Sequence, residues 1–367
     1  MKSKVAVLKT SPATALDDYA KLMRLPTAPA GQAGLSDYRS ALSPDKDTII
    51  KLNLSWTKYF PACSSQPWQL EGVIKTLLAD GFKPERLFPL ENKTVVTDPI
   101  KGARNNRWLG VLDRYKLSFT PLTEVKWVKY QFKNKLLMLD RIFPKGIEIP
   151  EMFIGRNIIH LPTVKTHGHS VTTGAIKNAF GGLLKQVRHY AHKHIHEVLV
   201  DLVIMQKELH PNIFSVMDGT VCGDGAGPRT MMPVIKNYIL AGADSVAIDA
   251  VAAKMMGFDP LKIDYLRLCN EMGLGNAEMK NIEIVGADIS GVDFGFRTRK
   301  SLVIWGDQML RKGALKTLGK IALHPALIFW APLASSIYHD FIWYPLIGRP
   351  RIDRFMETDW GELFRKY

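Results

Sequence analysis

Lysine and histidine crowd residues 157–196, NIIHLPTVKTHGHSVTTGAIKNAFGGLLKQVRHYAHKHIH, which hold seven of the chain's ten histidines and the lysines Lys165, Lys177, Lys185 and Lys193. Lysine offers a point charge to a phosphate or carboxylate, and histidine exchanges protons near neutral pH. Lys165, Thr166 and His167 follow an apolar, strand-like run and read as a loop at a strand end. Lys177 and Asn178 lie in GAIKNAFGG, a helix of small residues. A lysine on a packed helix face cannot easily carry its tip out to solvent, so a buried, ligand-facing ammonium is expected. His167 and Lys177 are therefore candidate catalytic groups, with Lys165, Thr166 and Asn178 binding the substrate. His189, His192 and His196 recur at spacings of three and four, which could place His192 and His196 on a metal. A solvated basic helix has the same composition, and spacing does not choose between the two.

Other residues could join them. Residues 48–53, TIIKLN, are an apolar run ending in Lys51 and Asn53, as a buried strand with a polar tip would be. The segment DGTVCGDGAGP supplies Asp218, Asp224, Gly225 and Gly227 after another strand-like run. Its glycines could let backbone amides form an anion-binding nest, or could simply make a tight loop. On the first reading Asp218 orients a proton donor or a divalent ion, while Asp224, Gly225 and Gly227 bind substrate. The segment is neither GxGxxG opening a helix nor GxxxxGK[ST]. GxSxG, HExxH and the common RNA-binding signatures are also absent, so no nucleic-acid partner is expected.

Strands and helices must position these groups. Strands are expected at 5–8, 48–53, 86–90, 212–217, 237–241 and 282–285, with short β runs within 117–153. Helices are expected at 16–23, 67–79, 198–209, 245–256 and 262–273. Strand, loop, helix and strand over 48–90 form a βαβ unit and argue for a parallel sheet flanked by helices. The fold class is α/β, with parallel or mixed sheets flanked by helices and the site at strand-end loops, where such folds gather their ligands. Residues 1–300 form one α/β domain or two lobes, about 1–155 and 156–300, and 301–367 an extension.

The formal net charge of +14 favours an anionic ligand, an acidic partner or an acidic membrane surface. Cys63, Cys222 and Cys269 are scattered and odd in number, which fits a reducing, cytoplasmic compartment without a disulfide framework. The first residues, MKSKVAVLKTSP, carry too short an apolar run for a signal peptide. No run reaches the roughly 18 apolar residues of a spanning helix. Residues 303–350 are nonetheless apolar and aromatic, broken by Pro325, Pro332 and Pro345, with Arg311, Lys312, Lys316 and Lys320 before the apolar run and Arg349, Arg351 and Arg354 after it. Such a tail could pack over the sheet or lie on an anionic membrane.

KLNL at 51–54, HLPTVKTH at 160–167, TGAIKNAFGG at 173–182, DGTVCGDGAGP at 218–228, AGADSVAIDAVAAKMMGFDP at 241–260 and GLG at 273–275 occur together and in order. In these motifs, from about residue 4 to 290, the chain resembles the domain-of-unknown-function 362 family. Many members of that family carry an appended iron–sulfur module, whose cysteine runs this chain lacks, so no intrinsic cluster is expected and a separate ferredoxin becomes a candidate partner. The family is also distantly similar to the N-terminal domain of nickel-dependent lactate racemase. That likeness implies a metal or a nickel-pincer-like nucleotide held by His167, Lys177 and one of His189, His192 or His194. Together these readings describe a cytoplasmic enzyme, of oxidoreductase or isomerase type, working on an anionic small molecule with Lys51, Lys165 and Lys177 as its cations. The alternative is a non-catalytic, membrane-associated protein that binds an anionic cofactor.

Overall fold

The computed structural model describes residues 2–27, 36–94, 97–185, 189–299 and 335–367, with positions 306 and 309. The strands are β1 (Ser3–Lys9), β2 (Thr48–Lys51), β3 (Leu87–Glu91), β4 (Thr120–Pro121), β5 (Trp127–Tyr130), β6 (Ile147–Pro150), β7 (Asn157–His160), β8 (Thr163–His167), β9 (Val171–Thr172), β10 (Ile213–Ala226), β11 (Thr230–Gly242) and β12 (Ile282–Gly286). One ten-stranded sheet runs in the order β12-β1-β11-β10-β7-β2-β3-β4, with β8 pairing β10 and β9 off that path, while β5 and β6 make a separate hairpin.

Neighbouring strand residues explain why both faces are covered. Ile49 and Ile50 of β2 are fully buried in different cores, and Ile158 and Ile159 of β7 repeat the alternation. Successive strand side chains point to opposite faces, so strands apolar on both sides need a layer on each. One face carries α1 (Ala15–Met23), α2 (Tyr38–Ala41), α3 (Pro67–Ala79), α4 (Pro99–Asn105) and α5 (Trp108–Arg114). The other carries α6 (Leu139–Ile142), α7 (Ala175–Leu183), α8 (Ile195–Leu209), α9 (Ser245–Met256) and α10 (Asp264–Glu271). Local signals set the helix ends. Pro67 and a Gln66/Gln69 capping box open α3, while Asp244 caps α9 and left-handed Gly257 ends it.

The sheet is mixed, within the parallel or mixed arrangement expected, because β11 runs antiparallel to both β1 and β10. Several other expectations change. The glycine-rich segment after residue 217 is not a loop: β10 continues through it to Ala226 and pairs with β11, with an irregularity between Gly219 and Val221. Residues 136–139 lead into α6 rather than a strand, because the Asp201 carboxylate accepts from the backbone N–H groups of Leu137, Met138 and Leu139 and caps that turn. His192 and His196 do not share one α-helix, since His189–His194 is 3₁₀ and α8 begins at Ile195.

Much of 303–350 lies outside the described residues. The rest of the extension forms a π-helix, Ile337–Gly348, and the helices Arg349–Met356 and Asp359–Arg365. Trp343, Phe355, Trp360 and Phe364 are buried in the core on the α1–α5 face. Phe364 stacks on Tyr59 at 3.9 Å between ring centres, and Trp360 lies 4.9 Å from Trp68.

Candidate functional site

The site forms where the C-terminal ends of β2, β3 and β8 meet the first turns of α7. Gly174 gives that helix no side-chain cap of its own. Asp249, a lone acid inside the apolar helix α9, reaches across instead and accepts from the N–H groups of Ala175 at 2.6 Å and Ile176 at 3.2 Å. A Cβ on residue 174 would lie 2.1 Å from Asp249 Oδ1, so only glycine admits the carboxylate. Burial pushes the Asp249 acid up to about 7. The positive end of α7 is thus occupied by the protein's own carboxyl.

Lys51 lies beneath α7. Its ammonium is fully buried and donates to Glu91 Oε1 at 2.5 Å, Glu91 Oε2 at 2.9 Å and the Leu52 carbonyl at 2.5 Å. The helix glycines make room for this ion pair. A Cβ at Gly181 would sit 3.3 Å from Lys51 Nζ, and one at Gly182 3.2 Å from its Cε. Asn178 Nδ2 donates to the Lys51 carbonyl at 2.9 Å and to His160 Nδ1 at 3.4 Å. The His160 Nε2–H in turn donates to Gln206 Oε1 at 2.6 Å, and burial pulls the imidazole down to about 3. Lys51 is therefore the floor of the site rather than a substrate contact. Asn178 ties the helix to that floor, while its own Oδ1, also buried, accepts from no donor among the described residues.

Lys165 is equally enclosed. Its ammonium donates to Asn53 Oδ1 at 2.5 Å, the Cys63 carbonyl at 2.6 Å and Ser55 Oγ at 3.3 Å, which uses all three donors of the group. Burial lowers it to about 8. Lys165 thus contributes charge rather than a hydrogen bond to a ligand, and Asn53, expected to bind substrate, is spent on Lys165.

His167, the last residue of β8, is nearly fully buried. Its Nδ1 accepts from the backbone N–H groups of His169 at 3.1 Å and Ser170 at 3.2 Å, which leaves the proton on Nε2. Burial drives it well below the ordinary histidine range, and Lys177, His169, His192 and Lys165 push in the same direction. The ring is a neutral donor and not a base. Rings continue outward from it: His167 to His169 at 5.9 Å, His169 to His192 at 5.6 Å, His192 to Phe180 at 5.4 Å. The ammonium of half-buried Lys177 lies 5.5 Å from the Phe180 ring.

Lys165, His167, Lys177 and His192 thus share one neighbourhood, with Lys51 and Asn178 below them. The residues taken from DGTVCGDGAGP have other duties. The hydroxyl of Thr166 donates to the carbonyls of Gly223 and Gly225. The Gly227 carbonyl accepts from Gly168 N–H, and a Cβ there would fall 1.8 Å from the Thr166 carbonyl oxygen. These glycines let β10 approach β8, and no amide nest opens between them. Asp224 accepts from the Arg297 N–H at 2.9 Å. Asp218 is buried on the other face of the sheet, satisfied by the Tyr19 hydroxyl at 2.6 Å, the Trp68 indole N–H at 3.1 Å and Thr220. It is a structural acid. His196 stacks on Tyr265 at 6.1 Å. Among the described residues no three His, Cys, Asp or Glu side chains gather as a metal-ligand group.

Sequence reasoning passed over Glu91, Asp249, His160 and His169. Glu91 closes its strand as Lys51 closes β2, and Asp249 is the one acid in VAIDAVAA; both were visible signals.

The family described as "Domain of unknown function (DUF362)" matches residues 48–254, more than half of the chain. The chain belongs to this family. The match covers β2 to β11 and hence every residue of the DUF362 site above. A thylakoid-associated protein of Synechocystis is 27% identical over 176 residues, 47% of this chain and 52% of that protein. The chain thus spans about half of that relative's length. No described helix is long and apolar enough to cross a membrane.

Proposed function

We propose that this DUF362 protein binds a small carboxylate- or phosphate-bearing molecule beside α7 and polarises it with a histidine donor. Half-buried Lys177 meets the anionic group. The Nε2–H of neutral His167 donates to an oxygen of the substrate, and the sealed Lys165 ammonium supplies fixed positive charge behind it. Such charge costs no reorganisation as negative charge develops on the substrate, which is how a preorganised site lowers a barrier. One observation carries the reading: Lys177, His169, His192 and Lys165, all basic, gather around the buried His167 ring.

Carbonyl polarisation within an isomerase or oxidoreductase fits this arrangement better than hydrolysis, because a neutral imidazole polarises a carbonyl well. The basic chain would suit an acidic electron carrier of the ferredoxin kind. Three buried, free thiols support a reducing, cytoplasmic location. The name of the Synechocystis relative supports a place at a membrane surface. A non-catalytic anion-binding role at that surface is the second reading, favoured by the number of site cations already spent on protein oxygens.

Calorimetric titration with inorganic phosphate and with small carboxylates tests the proposal. Wild-type protein should bind at least one of them, Lys177→Ala should bind at least about tenfold more weakly, as loss of a charge-assisted hydrogen bond predicts, and His167→Gln should lose turnover. Equal affinity of Lys177→Ala and wild type would sink the assignment.

A further inference from the structure

The π-helix Ile337–Gly348 turns one stripe inward and one outward. His339, Trp343 and Gly348 are buried against the body of the protein. Ile337, Phe341, Ile342, Leu346 and Ile347 face out, with Phe341 75% and Leu346 71% exposed. With hydrogen bonds five residues apart, side chains four to five positions apart stack on one side. These five residues therefore form a continuous apolar ridge. Large aliphatic and aromatic groups left bare together are uncommon on a protein that meets only water.

The charges around the ridge indicate what it meets. Asp340, the only charged residue of the element, is drawn inward, accepting from the Trp56 indole N–H at 2.7 Å while its carbonyl accepts from Lys58 at 3.0 Å. The ridge itself therefore carries no exposed acid. Exposed Arg349 follows it directly and exposed Arg354 five residues later, with one exposed acid, Asp353, between them, and in the sequence Arg311, Lys312, Lys316 and Lys320 precede the apolar run that leads to it. An uncharged apolar ridge with arginines at its edge matches the acyl boundary and headgroup layer of an anionic bilayer.

We propose that residues 337–347 insert into the interface of an anionic membrane, with Arg349 and Arg354 on its headgroups, and hold the protein there peripherally. The inference rests on the membrane-surface location proposed above and not on the anion site. Because Trp56, Tyr59 and Phe60 pack under the same helix, docking brings the loop that supplies Asn53, Ser55 and Cys63 to Lys165 close to the bilayer.

Co-sedimentation of the full-length protein with phosphatidylglycerol-containing vesicles, and with pure phosphatidylcholine vesicles, tests this. The protein should bind the anionic vesicles and bind the neutral ones weakly. The double variant Phe341→Ser/Leu346→Ser should lose at least about tenfold in partitioning, since binding scales with buried apolar area, at an unchanged melting temperature. Arg349→Glu/Arg354→Glu should lose the preference for anionic lipid. If wild type and the serine variant bind vesicles equally, another surface does the docking and this ridge is not the site, while the membrane location stands. If nothing binds vesicles, both fall. A wild-type dimer in sedimentation velocity that the serine variant abolishes would show a self-association surface and overturn the proposal.

Discussion

Two glycine-rich segments of this chain look alike as sequence and behave differently. In GAIKNAFGG the glycines bring a helix down onto a buried lysine–glutamate pair, so backbone meets charge. In DGTVCGDGAGP they bring one strand against another, so backbone meets backbone: Gly227 lies where a Cβ would strike the Thr166 carbonyl at 1.8 Å. Glycine reports that something comes close. It does not report what.

The comparison can be broken by substitution. Gly227→Ala meets a carbonyl that cannot yield and should cost more than about 3 kcal/mol, beyond the usual range for an overfilled core; urea denaturation measures it. Lys51→Met leaves Glu91 charged and buried beneath α7, and should cost about 3–5 kcal/mol by the same measurement. Gly181→Ala presses on side-chain tips, Glu91 Oε1 at 3.2 Å and Lys51 Nζ at 3.3 Å, which shift more readily than backbone, so about 1 kcal/mol is expected. If Gly181→Ala proves as costly as Gly227→Ala, the distinction between the two segments is lost. Lys177→Ala, on the half-buried rim, should change stability by less than about 0.5 kcal/mol while weakening phosphate binding, a separation that thermal melts and calorimetry read together.

Acid sharpens the contrast further. His160 and His210, lowered by burial to about 3 and about 4, stay neutral in the fold and become charged when unfolded. Their stabilisation is complete above the ordinary histidine value near 6.5 and is lost as pH falls from there toward 4. Asp249 runs the other way. Raised to about 7, its contribution is complete below the ordinary carboxylate range and fades as pH rises toward 7. Asp249→Asn should therefore remove the opposing slope and steepen the acid loss between pH 6.5 and 4, as denaturation midpoints across that range would show. An unchanged slope would deny Asp249 its role at the head of α7.

Much of the frame was legible. The runs TIIK and NIIH are apolar at every second position on both faces, which only a doubly covered sheet accommodates, and Pro67 and Gly257 mark helix ends where the chain places them. The partners of the site were less legible. That Lys165 spends its donors on Asn53, Ser55 and the Cys63 carbonyl depends on a loop about 100 residues earlier folding over β8, and no local pattern encodes that. Asp218 was misread because an acid after a strand looks the same whether it faces a cleft or, as here, Tyr19 and Trp68. The histidine spacing misled because a 3₁₀ turn breaks the helical period between His192 and His196.

The last thirty residues have a practical bearing on any biochemistry done with this protein. Trimming to the matched region, 48–254, would strip Trp343, Trp360 and Phe364 from Phe60, Trp68 and Tyr59, and would remove β1 from the edge of β11. The loop carrying the carbonyl and hydroxyl ligands of Lys165 would lose its outer wall. Measurements on such a fragment would describe a slackened ammonium nest rather than the one that forms with residues 337–367 in place.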